Sequence, residues 1–145
     1  MQYQKFKINQ LGLKRIITVA FLFMMIGTAM ELYLLEHYED TLQLIPLLCI
    51  GSAMLVMFML FFKRTGFTEG LFKLLLMITA LSGIYGTFLH LRANYEFELE
   101  MKPGSEGWDL FLESLSGALP TLAPGSMIVL ALLGYSYLIL LKQKQ

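Results

Sequence analysis

The sequence predicts an all-α integral membrane protein: a bundle of four transmembrane helices with one short interfacial amphipathic helix on its outer side. Three observations carry this. Hydrophobic residues make up 57% of the 145 and charged residues only 15%, and mean hydropathy is +0.64, outside the range of a soluble domain. The apolar residues gather in runs of about twenty, the length a helix needs to cross about 30 Å of hydrocarbon. Backbone groups in hydrocarbon must be satisfied within their own segment, so such runs form helices rather than open sheet.

Residues 1–14 are polar and basic and read as a cytoplasmic segment. The first span covers about 15–36, and its apolar core, residues 16–35, holds a single charge, Glu31. This run is too long for a signal peptide and no small-x-small cleavage site follows it, so it reads as a mature span. An acidic turn, residues 36–40, leads to the second span at about 41–62, with Pro46 in its first turns, where a missing N–H costs least. Residues 63–70 contain two glycines and read as a tight loop. The third span, 71–92, carries Thr79, Gly83, Gly86, Thr87 and His90 on one side, a small, polar stripe that favours close helix approach. An outer loop follows at 93–107, with Pro103-Gly104 as its turn signal. Residues 108–119 put Trp108, Phe111, Leu112, Leu115 and Leu119 on one face and Asp109, Glu113 and Ser116 on the other, the pattern of an interfacial helix. Pro120 and Pro124 precede the fourth span, about 123–141, and residues 142–145 form a basic tail. The whole is one membrane domain.

Orientation follows from charge. Nine of the eleven Lys and Arg lie on the side shared by both termini and the 63–70 loop, with only Arg92 and Lys102 opposite. The positive-inside rule then places both termini in the cytoplasm and the chain in the plasma (inner) membrane, with the lipid bilayer as its first partner. No basic patch suits nucleic acid. Cys49 is the sole cysteine and cannot form an internal disulfide. The ten methionines mostly lie singly in apolar runs, where Met is gap-filling bulk rather than a metal ligand.

The candidate site is an outward-facing Glu/His pocket. Glu31 is sixteen residues beyond Arg15 and His90 seventeen beyond Lys73, which places both about 25 Å above the inner boundary if those cations mark one level. Glu31 shares its face with Gly27, Thr28 and Tyr38. Two small, polar stripes invite the first and third spans to pack on each other, with Cys49 and Ser126 at a similar depth. His37 at the rim, Asn94 one turn beyond His90, and Glu113 above complete a cup of oxygen and imidazole groups. Four readings follow. A divalent transition metal would use Glu31, His90, His37 and Glu113, and a small ligand could use the same cup. A structural accessory subunit, bound to a larger membrane protein or to a second copy, would use Glu31–His90 as a packing contact. Haem b between His37 and His90 is strained by their different depths. A carrier needs a path through apolar inner halves, and an enzyme needs a motif the chain lacks: no HExxH, CxxC, Gly-rich phosphate loop or nucleophile elbow is present.

Overall fold

The computed structural model describes residues 2–104 and 106–143, with side chains from residue 11 onward. Lys5, Lys7, Lys144 and Ser105, which enter the charge count and the outer loop, lie outside the described side chains. The described residues form five helices: α1 (Gln2–Leu34), α2 (Thr41–Phe62), α3 (Gly66–Met101), α4 (Gly107–Leu115) and α5 (Gly125–Lys142). Four of them, α1, α2, α3 and α5, are long and apolar enough to cross a membrane.

Several helices run past the expected spans, for local reasons. No proline interrupts residues 2–34, so the polar amino-terminal segment is wound into α1 instead of standing apart from it. The 63–70 loop shrinks to three residues because Thr65 caps α3: its hydroxyl accepts the Thr68 N–H at 3.1 Å and the Thr68 hydroxyl accepts the Thr65 N–H at 3.0 Å. At the other end α3 continues to Met101 through most of the expected outer loop. Arg92 and Glu96 pair at 2.7 Å, one turn apart as their spacing predicts, and no helix breaker occurs before Pro103. With 36 residues, α3 is about 54 Å long, well beyond one hydrocarbon thickness.

The residues from 116 to 124 are not helical, so α4 is shorter than expected. Asn94 on α3 holds them. Its two amide hydrogens are shared among the Leu119 carbonyl at 2.7 Å, the Thr121 hydroxyl at 2.9 Å and the Ser114 carbonyl at 3.0 Å, while its oxygen accepts the Leu119 N–H at 2.9 Å. Gly117 is required there, because a Cβ would come within 2.6 Å of the Asn94 side chain. The α4 residues turned inward are Leu110 and Ser114, which divide the two faces read from the sequence.

In cross-section α1 packs chiefly on α5, α5 on α3, and α3 on α2, while α1 and α2 touch only sparsely. Thus α1 and α3 stand diagonally opposite, and their small-residue stripes do not meet. Those of α3 serve α5 instead: a Cβ on Gly83 would lie 2.8 Å from the Pro124 carbonyl, and one on Gly86 2.9 Å from the Pro124 ring. Gly27 has nothing near it. The half nearer the termini is solid. Phe21, Met25, Ile50, Met57, Phe72, Leu130 and Tyr137 are all buried, with Phe21 edge-on to Phe72 at 6.0 Å and Phe72 to Tyr137 at 6.5 Å. Arg64 closes this end, bonding Glu69 and the Leu141 carbonyl.

Candidate functional site

The opposite half is hollow. A cavity of about 810 Å³ lies between α1, α2, α3 and the residues that lead into α5. On α3 its wall is Ile78, Leu81, Ser82, Tyr85, Gly86, Leu89, His90 and Ala93, a three-to-four residue recurrence over about 22 Å of helix. Leu32 and Leu35 from α1, Ile45 and Pro46 from α2, and Met127 from α5 make most of the remaining wall apolar. Of the lining residues, Leu35, Leu42, Leu81 and Tyr85 are also exposed on the outside of the protein. The cavity is therefore open rather than enclosed, and α1 and α2, which touch only sparsely, leave room beside it.

Depth within the cavity follows from the Phe21–Phe72 contact. Counting from that contact, Glu31 is ten residues further along α1 but His90 is eighteen further along α3, a difference of about 12 Å. Glu31 is level with Ser82, and His90 sits near the mouth. Arg15 and Lys73 do not mark one level, so the shared depth expected from them does not hold.

His37 reaches the mouth through a tight helix ending. The His37 N–H bonds the Leu32 carbonyl at 2.9 Å and the Glu36 N–H bonds the Tyr33 carbonyl at 3.1 Å, with Glu36 in the left-handed region at φ 54°. This is the Schellman pairing, with glutamate where glycine is usual. It folds the chain back so that the His37 and His90 rings lie 6.5 Å apart, tilted by 66°. Burial, and then the neighbouring His90, hold the His37 imidazole below the usual histidine value. His90 Nδ1 is 3.1 Å from the Pro120 carbonyl. A carbonyl only accepts, so Nδ1 carries the hydrogen and Nε2 is the ring's other polar atom. Gln43 completes the rim, its Oε1 accepting the Glu39 and Asp40 N–H groups at 3.1 and 3.2 Å.

Glu31 stands apart from these partners. Among the described residues no hydrogen bond or ion pair reaches its carboxylate, so the expected Glu31–His90 packing contact is not formed. Glu113 is not at the cavity either: it pairs with Lys102 at 2.9 Å, and that bond raises the Lys102 pKa. Of the residues expected at the pocket, Glu31, His37, His90, Thr28, Gly86 and Ser126 line it. Gly27, Tyr38, Cys49, Gly83, Thr87 and Asn94 do not. Asn94 is the loop anchor described above, Gly83 is under Pro124, Thr87 bonds the Gly83 carbonyl at 2.9 Å, and Cys49 is buried beside Thr79 and Ser82. Residues not foreseen are Ser82, Tyr85, Asp40, Gln43 and the Pro120 carbonyl. The first two share the Ile78 face and were readable by spacing, but the others depend on how the connectors turn.

The described residues form no three-ligand metal cluster, and of what haem b needs they supply two imidazoles but no cation for its propionates. Among the described residues no three of His, Cys, Asp and Glu gather to hold a metal ion. Haem b would bring two propionates, and the lining offers them Glu31 and Asp40 but no Lys or Arg. No protein-family model matches the chain, and no curated protein or solved structure shows significant similarity to it.

Proposed function

We propose that this chain is a membrane-embedded four-helix bundle whose cavity binds a small lipophilic molecule from the outer leaflet of the plasma membrane, acting as a binding module rather than an enzyme or carrier. One observation carries the reading: the cavity of about 810 Å³ joins a long apolar wall to a few polar groups, Glu31, His37 and His90, the usual make-up of a ligand site. Its exposed lining residues Leu35, Leu42, Leu81 and Tyr85 give access from hydrocarbon. The packed aromatic half below it favours binding over transport.

The charge distribution supports the orientation. The solid half belongs to the end that carries both termini and nine of eleven basic residues, which supports an outward-facing cavity. There α4 suits the interface: Trp108 is 69% exposed and lies 5.2 Å from the Phe111 ring, while Leu110 and Ser114 hold the helix to the bundle. The accessory-subunit reading rests on the short connectors and the Gly and Thr faces, without a Glu31–His90 contact to add to them.

The test is mass spectrometry of lipophilic molecules that co-purify in mild detergent. Wild-type protein should retain one molecular species near one per chain. Leu81→Trp, which fills the cavity wall, should lower that retention by about tenfold or more. The same unselective lipid mixture in both proteins would overturn the reading.

A further inference from the structure

We infer that the molecule taken by this cavity carries a protonated amine on an apolar body, and that Glu31 is the ammonium's partner. The inference rests on the pocket reading above and adds the chemistry of the occupant. Its starting point is the carboxylate of Glu31, which lines the cavity, is exposed and has no partner of its own among the described residues. A carboxylate at this depth is costly unless a cation, a proton or water meets it. No Lys or Arg lines the cavity, and the two nearest in sequence to its mouth are already engaged, Arg92 with Glu96 at 2.7 Å and Lys102 with Glu113 at 2.9 Å.

The remaining polar groups point the same way. Asp40 adds a second acidic side chain to the lining. His90 has committed Nδ1 to Pro120, which leaves Nε2 as its other polar atom. The charged groups of the lining are thus two carboxylates, with neither Lys nor Arg beside them. An anionic head would meet two carboxylates. A neutral alcohol would supply one hydrogen and leave the Glu31 charge uncompensated. An ammonium supplies three hydrogens and the opposite charge, while the leucine wall takes an aliphatic body.

The test uses three probes of one chain length, decylamine, decanol and decanoate, titrated at neutral pH against the full chain in nanodiscs of zwitterionic lipid. The same titration of Leu81→Trp subtracts partition into the bilayer. Decylamine should bind at least about tenfold more tightly than decanoate, and Glu31→Gln should bring the two within about threefold of each other, the scale of one partly shielded charge pair. Glu31→Asp, which keeps the charge, should retain the preference and guards against a variant that fails to fold. Equal binding of all three probes to the wild type, or tightest binding of decanoate, overturns the amine inference and leaves the pocket reading standing. No probe binding the wild type above Leu81→Trp overturns both.

Discussion

At the scale of single residues, the cavity half of the molecule is set by two residues that turn the connectors. Glu36, at φ 54°, ends α1 in a left-handed turn and carries His37 to the cavity mouth. Asn94, 2% exposed, ties residues 114–121 to α3 and so places the Pro120 carbonyl against His90. Replacing Asn94 with alanine leaves the Leu119 N–H and carbonyl without their side-chain partner and the Ser114 carbonyl with the Thr121 hydroxyl alone, at 3.3 Å. The expected loss is roughly 2–4 kcal/mol of stability, read from reversible denaturation in detergent, with the terminal half remaining helical. An unchanged midpoint would show that the loop is held by other means. Neither role was legible in the sequence. Asn94 reads there as a polar residue one turn above His90, and only the fold of residues 116–121 around it shows that it faces a loop and not the cavity. Glu36 carries no sign at all, because a left-handed C-cap is expected of glycine.

At the scale of helices, the four apolar runs were legible because length and hydropathy are properties of each segment alone. The second span is the clearest case, expected and found at Thr41–Phe62. Helix ends were harder to read. Polar residues at 2–10 and 93–101 look like loop by composition but carry no breaker, and they extend α1 and α3. Which helices touch was harder still. The glycine stripes on α1 and α3 suggested that these two pack together, yet α5 lies against Gly83 and Gly86 and the α1–α3 diagonal is left open. Gly83→Ala should therefore cost about 1–2 kcal/mol, since overpacking against the Pro124 carbonyl outweighs the gain of roughly 1 kcal/mol in helix propensity. Gly27→Ala, with open space around it, should be neutral or stabilising by up to about 1 kcal/mol. The pair, measured side by side by thermal unfolding, checks the helix arrangement, and the opposite order would contradict it.

At the scale of the whole molecule, the chain is built in two unequal halves. The end carrying the termini is packed with interlocked aromatic rings and tied by Arg64, Glu69 and Lys142. The other end keeps its helices apart around a cavity with an unpaired acid partway along and two histidines at the top. The presence of a Glu/His pocket was legible from Glu31 and His90 interrupting apolar runs, but its shape was not. Counting from Arg15 and Lys73 assumed a common baseline, and the Phe21–Phe72 contact sets another, which separates the two groups by about 12 Å. That separation makes the cavity an elongated slot in place of the compact cup expected.

The most direct test of this account is quenching of a single tryptophan by a chain-brominated alkylamine in nanodiscs. Trp108→Phe removes the sole native tryptophan, and Tyr85→Trp then reports from the cavity wall, with Phe88→Trp, on the exposed side of the same helix, as the comparison. The account predicts quenching that saturates at position 85 and rises without saturation at position 88. The same unsaturable quenching at both positions would mean that the slot is simply part of the lipid-facing surface and that no molecule is bound there.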